Sequence, residues 1–176
     1  MLDSGTFMLS DPQLLAFGKI TYLYASIEWG IRCMLAGIVE TPLVEALILS
    51  EPYSASSLKN VAKSAAKLSR LSDDNQKFFI QLAGDWGAFA NLRNAIAHRR
   101  WEGGERPDSI RPAGVDIRSG KAKMIGDVED RDWLEIELLN EAQKLHDLNE
   151  RAILFFHKSG LADATALRNK ERLSAV

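Results

Sequence analysis

The feature that most constrains the fold is a long helical pattern near the start of the chain. Ser10-Asp11-Pro12 supplies a capping residue and a first-turn proline, which favour the start of a helix. Apolar residues then recur at intervals of three and four: Phe17, Ile20, Tyr24, Ile27, Ile31, Leu35 and Ile38. The pattern predicts one helix from Pro12 to about Val39, with a continuous apolar face that other elements must cover.

The same helix carries a second apolar face. Leu15, Tyr22 and Trp29 repeat every seven residues, away from the first stripe. A helix with two apolar faces needs two partners. Two interpretations remain open: a central helix of a bundle, or a helix whose second face meets another copy of the chain.

The rest of the chain also predicts mainly helices, with one exception. Gly103-Gly104, Pro107 and Pro112 break any helix, and alternating residues around Ser119-Gly120 predict a β-hairpin at about 113–126. Asp132 and Glu135 resemble a capping box for the last long helix. The tail 159–176 has poor amphipathicity and can hold a short helix. The further helices are predicted at about 42–49, 54–71, 72–100 and 133–158.

These elements predict an all-α fold: an α-helical bundle with a small β-hairpin before the last long helix. A chain of 176 residues can bury one sizeable core, so a single domain is expected over 1–176, with its helical core at about 10–158.

Composition narrows the function classes. A net charge of −2 does not indicate a generally basic nucleic-acid binder. The single cysteine, Cys33, excludes an internal disulfide framework, suits a reducing compartment and is expected to be a packed thiol. The first residues show no signal-peptide pattern, and charged residues interrupt the apolar run of the first helix. A cytoplasmic protein without a membrane span is therefore expected.

The stretch from Asn91 to Trp101 concentrates the polar chemistry of the chain. On a helix, Asn91, Asn94 and His98 share one face, whereas Arg93 falls within the neighbouring apolar arc. An arginine aimed at a core must be paired or must open into a cleft. Arg93 is therefore expected either to pair with an acid, with Glu28 the best candidate, or to line a cleft and stabilise an anion.

His98 also has two interpretations. A histidine near the end of a helix is favoured by the helix dipole, and near neutral pH it can also exchange protons. Asn94, one turn earlier, is able to orient the ring. The other two histidines, His146 and His157, give no metal-ligand spacing with it, so no metal site is predicted.

The region around and after the motif is locally basic. Residues 93–123 contain eight basic and four acidic side chains, a net charge of +4. Such a patch, including Arg99 and Arg100, suits an RNA phosphate backbone, and Trp101 can stack on a base. The alternatives are a solvated loop for the charges and a cover over the helix end for Trp101.

The segment Arg93-Asn94-Ala95-Ile96-Ala97-His98 resembles the signature of the HEPN superfamily: an arginine, usually followed by a polar residue, then a histidine after a gap of four to six residues. Its place near the end of a long helix and before the last one also resembles that family. In layout, the resemblance covers about residues 10–158, with the hairpin as an insertion.

The resemblance implies a four-helix bundle, often a homodimer that brings two motifs into one cleft. It implies a metal-independent endoribonuclease without cofactor, of the kind found in toxin–antitoxin and antiviral defence systems, or a related RNA-binding or interaction module without activity. Arg93 would bind the scissile phosphate, His98 would be the general acid–base, and Asn94 would orient the histidine or the phosphate. Asn91, Arg99, Arg100 and Trp101 would contact RNA, Glu28 would support Arg93, and an antitoxin protein would be a further partner.

Overall fold

The computed structural model describes residues 9–113, 115–118, 121–124 and 131–174, which are mostly helical. The helices are α1 (Asp11–Ile38), α2 (Leu43–Ser50), α3 (Ala55–Leu68), α4 (Asp73–Ala88), α5 (Ala90–His98), α6 (Glu135–Lys158) and α7 (Leu161–Ser174). The strands are β1 (Arg100–Gly103), β2 (Ser109–Ala113), β3 (Val115–Arg118), β4 (Lys121–Met124) and β5 (Trp133–Leu134). The predicted helical class is confirmed, and a small antiparallel sheet, absent from the prediction, is added to it.

The described residues divide into two compact units. Unit 1 contains the chain up to Tyr22 together with Asn91–Lys144, and unit 2 contains Leu23–Ala90 and the residues from Leu145 onward. The stretch from Asn91 to Trp101 therefore lies wholly in unit 1. A single domain over 1–176 stays a prediction.

Helix α1 begins where the cap was predicted. The backbone N–H of Gln13 donates to Ser10 Oγ at 3.3 Å, and the N–H of Ser10 donates to Gln13 Oε1 at 2.9 Å, a reciprocal capping box. The first apolar stripe is buried from Phe17 to Leu35. The second stripe is open in the single chain, since Leu15, Tyr22 and Trp29 are 55%, 72% and 54% exposed.

The prediction of one continuous helix over 72–100 is wrong. Ser72 caps α4 by accepting a hydrogen bond from the N–H of Asn75, but α4 ends at Ala88 and α5 begins at Ala90. Between them, the N–H of Phe89 bonds to the carbonyl oxygen of Trp86, three residues back, at a ψ of −5°. This tight turn interrupts the helical ladder without a proline.

Unit 2 is held by aromatic packing. The rings of Tyr24 and Trp86 stack with centroids 4.9 Å apart, and Trp86 Nε1 donates to the Tyr24 carbonyl at 3.2 Å. Phe78 stacks on Phe155 at 4.7 Å. Gly87 lets Lys59 come close, because an added Cβ would lie 3.0 Å from Lys59 Cδ. The glycine thus allows the close approach of a side chain.

Helix α7 is longer than the expected short helix in the tail. It is anchored in unit 2 by polar contacts that an apolar pattern does not reveal. Thr165 Oγ1 donates to the Cys33 carbonyl at 3.4 Å, and the N–H of Leu43 donates to Asn169 Oδ1 at 2.8 Å. Gly37 leaves room for this helix, since an added Cβ would lie 2.9 Å from the Leu161 oxygen.

The sheet of unit 1 explains why the last long helix starts later than predicted. Strand β2 pairs with both β1 and β5, so Trp133 and Leu134 are strand residues opposite Ile110 and Ser109. The predicted capping box of Asp132 and Glu135 is wrong. Glu137 Oε2 accepts from the N–H of Leu134 at 2.8 Å instead.

The predicted β-hairpin is confirmed in its backbone. Strands β3 and β4 pair antiparallel, with Val115 opposite Met124 and Arg118 opposite Lys121. The predicted turn residues Ser119-Gly120 lie outside the described residues.

Candidate functional site

The end of α5 is fixed by Trp101. The indole Nε1 donates to the Ala95 carbonyl at 3.3 Å, and the N–H of Arg99 bonds to the same oxygen at 3.0 Å. Ala95 and Trp101 are both buried, and the Trp101 ring packs on Phe17 with centroids 4.7 Å apart. The chain therefore leaves α5 and enters β1 along a defined path.

Trp101 is the packed cover of a helix end rather than an exposed stacking platform. Its side chain is only 7% exposed. Of the two interpretations of Trp101, the geometry favours this second one, so base stacking on an open indole face is not available in this conformation. The structural role follows from the position of Trp101 in β1, opposite the buried Pro112.

Asn91, Asn94 and His98 form one exposed face of α5, as the helical projection predicted. All three are exposed residues, spaced three and four apart. Among the described residues, no hydrogen bond joins Asn94 to His98. The imidazole is thus presented to solvent, where it can meet a ligand, and its orientation by Asn94 stays a prediction.

Arg93 is half-buried and is held by its neighbour. Its Nη1 donates to Asn94 Oδ1 at 3.1 Å, and its Nε is screened from solvent. The screened stem and the partly exposed end of the side chain match an arginine at the margin of the core. The bond to Asn94 fixes the guanidinium one turn before His98.

Glu28 belongs to unit 2 and has a partner on its own helix. Its Oε1 accepts from Arg32 Nη2 at 2.7 Å in an i, i+4 pair. The Glu28 side chain is 28% exposed and the Arg32 side chain is 10% exposed. The Nη1 of Arg32 donates to the Ser50 carbonyl. The predicted support of Arg93 by Glu28 stays a prediction.

Arg99 and Arg100 border a cavity of about 470 Å³ in unit 1. Arg99 is half-buried, and Arg100 is exposed. The other lining residues are apolar: Leu9, Leu14, Phe17, Ile96 and Trp101. The two predicted RNA-binding arginines therefore lie together, beside an apolar surface.

The predicted basic patch is smaller than the sequence suggests. Arg111 pairs with Glu102 and with Glu105, both at 3.1 Å, and Arg106 pairs with Glu137 at 2.8 Å. Internal pairing of Arg106 and Arg111 leaves them less available to an RNA backbone. Arg99 and Arg100 are the arginines that directly follow the motif.

A polar network around Asp132 was missed by the sequence analysis. Asp132 Oδ2 accepts from the N–H of Arg106 at 2.8 Å, from Ser109 Oγ at 3.0 Å and from the N–H of Glu105. Arg106 also donates to the Asp132 carbonyl and to both oxygens of Glu137. The Gly103-Gly104 pair gives the signal of a tight loop, but nothing in the sequence points to Asp132 as its acceptor.

Hydrogen bonds lower the pKa of two carboxyl groups in this network. The pKa of Asp132 is lowered, first by the backbone N–H of Arg106 and then by Ser109 and Glu105. The side chain of Arg106, followed by the N–H of Leu134, lowers the pKa of Glu137 from its usual 4.5 to about 2. The same hydrogen bonds favour the ionised carboxylates and hold the loop between β1 and β2. The charge of these two acids therefore has a structural role.

Two further features bear on what the chain can bind. Among the described residues, no three side chains of His, Cys, Asp or Glu are grouped so as to hold a metal ion. In that same part of the chain, no helix combines the length and apolarity needed to cross a membrane.

Comparison with known proteins gives no match to a family model, a curated protein or a solved structure.

Proposed function

We propose that the chain is a metal-independent endoribonuclease of the HEPN type. The observation that carries the proposal is the arrangement on α5. Arg93 is tied to Asn94 at 3.1 Å, one turn before the exposed His98. In the proposed site, His98 is the general acid–base, Arg93 stabilises the phosphate, and Asn94 positions Arg93.

RNA needs only these groups because it carries its own nucleophile. The ribose 2′-oxygen attacks the adjacent phosphorus, the bond from phosphorus to the 5′-oxygen breaks, and the 2′-proton leaves to a base. The departing 5′-oxygen takes a proton from an acid. A proton-transfer group and a fixed cation supply both needs, and the products are a 2′,3′-cyclic phosphate and a 5′-hydroxyl.

Acid and base acting together call for two histidines, so the proposed enzyme is a homodimer. Each copy contributes one His98 to a shared cleft. The exposed apolar side chains of α1, Leu15, Tyr22 and Trp29, support association, since large exposed apolar residues favour burial. In the single chain, one imidazole would have to perform both proton transfers.

The proposed setting is the cytoplasm, in a toxin–antitoxin or antiviral defence system. An RNase without metal or cofactor is active as soon as it folds, so a cell that makes one needs a restraint. A neutralising antitoxin protein is the proposed partner, and RNA is the proposed substrate.

The test is cleavage of single-stranded RNA by the purified protein in the presence of EDTA. The His98→Ala variant should lose about 10²–10⁴-fold in rate, the usual contribution of a positioned acid–base group. The protein should retain its circular dichroism spectrum and its mass by light scattering. Products should carry a 2′,3′-cyclic phosphate. Dependence on a metal ion, or a His98→Ala variant as active as the parent, would rule the proposal out.

An alternative is an inactive HEPN-like module that binds RNA or a protein, including another copy of itself. The observation that favours it is Arg93, which is half-buried and engaged with Asn94. This module would bind RNA, or a partner, without cleaving RNA. The two hypotheses separate when binding and cleavage are measured on the same RNA.

A further inference from the structure

The cavity beside Arg99 and Arg100 is a candidate binding site that the motif does not include. We infer that it takes the base of one unpaired RNA nucleotide, with the attached phosphate on Arg100. Its volume of about 470 Å³ lies in the range of small-molecule sites, roughly 300–1,000 Å³. The inference rests on the proposed function, because it names a subsite for the same substrate.

The cavity walls fit a flat, apolar-faced ring. Leu14, in the first turn of α1, is 52% exposed, and Ile96 on α5 is half-buried. Phe17 and Trp101 are buried and pack against each other, so they give these side chains a rigid support. A nucleobase placed here covers the solvent-exposed apolar surface of Leu14 and Ile96 and so removes it from water.

Charge selects the kind of ligand. Among the described residues of the lining, the two arginines are the charged ones, and none of these residues is an acid. Arg100 is exposed and has no ion pair among the described residues, whereas Arg106 and Arg111 are paired with acids. An apolar wall with a cationic rim matches a nucleotide, which has an apolar ring at one end and an anion at the other.

The lining also predicts how the site reads RNA. Apart from the two guanidinium groups, the one polar side-chain group among the described lining residues is the indole N–H of Trp101, and that N–H is already bonded to the Ala95 carbonyl. Base edges therefore find few hydrogen-bond partners. The site should accept several bases and should reject duplexes, in which every base is stacked and paired.

The position along the chain connects the site with the motif. Arg99 follows His98 directly, and Arg100 begins β1. A nucleotide whose phosphate lies on Arg100 is thereby held near the proposed acid–base group. The cavity would act as a positioning subsite, fixing the strand while the scissile phosphate meets Arg93 and His98.

The experiment measures binding of a fluorescent single-stranded RNA to the His98→Ala protein, which leaves the RNA uncut. Leu14→Asp places an acid in the wall and should raise Kd about tenfold, and Arg100→Ala should raise it about fivefold, with a smaller salt dependence. Leu14 lies in the first turn of α1, where an aspartate suits the helix dipole. Leu68→Asp and Arg70→Ala, exposed positions in unit 2, are the matched controls and should change Kd less than twofold.

Abasic substitution locates the base. Removing one base of the RNA should weaken binding to the parent about tenfold, but should have little further effect in Leu14→Asp, because that wall is already lost. A duplex of the same sequence should bind at least tenfold more weakly. Equal additive losses in both proteins, or equal binding of the duplex, would overturn the inference.

Failure of the subsite and failure of the proposed function give different results. If the wild type cleaves RNA but Leu14→Asp binds like the parent, the subsite is refuted and the enzyme stands. If Leu14→Asp and Arg100→Ala weaken binding but the wild type cleaves no RNA, the subsite stands and the enzyme is refuted. If no RNA binds, both are refuted.

Discussion

The motif at the end of α5 and the loop between β1 and β2 belong to the same unit, and both are rich in polar side chains. The loop is held from outside by Asp132 and Glu137, whose carboxylates bond to Arg106 and to backbone N–H groups. In the motif, Asn94 and His98 are exposed, and their one described side-chain bond ties Asn94 to Arg93. Similar residue types therefore have a structural role at the loop and, under the proposed function, a catalytic role in the motif.

The difference teaches how to separate structural from functional polar residues. Charge that is satisfied internally stabilises a loop, so its removal should lower the free energy of unfolding. Polar groups presented to solvent contribute little to folding, so their removal should leave stability unchanged and alter only function.

The largest expected effect on stability belongs to Gly104→Ala. An added Cβ would lie 2.6 Å from Asp132 Cγ, too close for carbon atoms, and the Gly104 N–H is bonded to the Ser109 carbonyl at 2.8 Å. The loop would have to open, at a cost of about 2 kcal/mol, or roughly a 6 °C lower Tm. Thermal unfolding followed by circular dichroism measures this.

The matched control is Gly84→Ala. An added Cβ at this helical position would meet no described atom within 4 Å beyond its own turn of helix, so alanine should be neutral or slightly stabilising. Equal Tm values for the two variants would show that the loop does not depend on the closeness of Gly104 to Asp132.

The second effect contrasts Asp132→Ala with His98→Ala. Loss of the Asp132 carboxylate removes the acceptor of the N–H groups of Glu105 and Arg106. Because the loop is exposed, water replaces part of the lost hydrogen bonding. The expected cost is about 1 kcal/mol. His98→Ala should change stability by less than about 0.5 kcal/mol. Urea unfolding of both variants gives the comparison, and a reversed order would contradict it.

Acid should loosen the loop in a defined pH window. In the unfolded chain Glu137 titrates near its usual pKa of 4.5, and in the folded chain near about 2. Its stabilisation is therefore present above about pH 4.5 and is lost as pH falls towards 2, and the lowered pKa of Asp132 acts in the same direction. Tm should fall through this window.

Glu137→Gln keeps an acceptor but removes the titration, so the fall of Tm with acid should become shallower. Glu150→Gln, an exposed position on α6, is the control and should follow the wild-type curve. Parallel curves for all three proteins would show that Glu137 does not couple to folding.

Local signals predicted most of the helices. Ser10 caps α1 where the sequence predicted it, and Ser54 and Ser72 cap α3 and α4 at the predicted starts of those helices. The exposed face of Asn94 and His98 also follows from helical spacing alone. These features depend on residues three or four apart, which a sequence displays directly.

What the sequence did not reveal depends on distant partners. β5 forms because Trp133 pairs with Ile110, 23 positions earlier, so no local pattern announces a sheet. The break at Phe89 has no proline to mark it. Trp101 was left with two interpretations because only its packing on Phe17, from another element, decides between them.

The smallest effect on stability is expected for Asn94→Ala. Its bond with Arg93 is exposed, so the loss should cost a few tenths of a kcal/mol. Without this bond the guanidinium is no longer held one turn before His98, and under the proposed function RNA cleavage should fall about tenfold, the cost of one misplaced charge-stabilising group. Asn140→Ala, exposed on α6 in the same unit, should change neither quantity. A tenfold loss of rate at unchanged Tm would place Asn94 with the motif's functional residues. A loss of stability at unchanged rate would place it with Asp132, among the residues that only hold the fold.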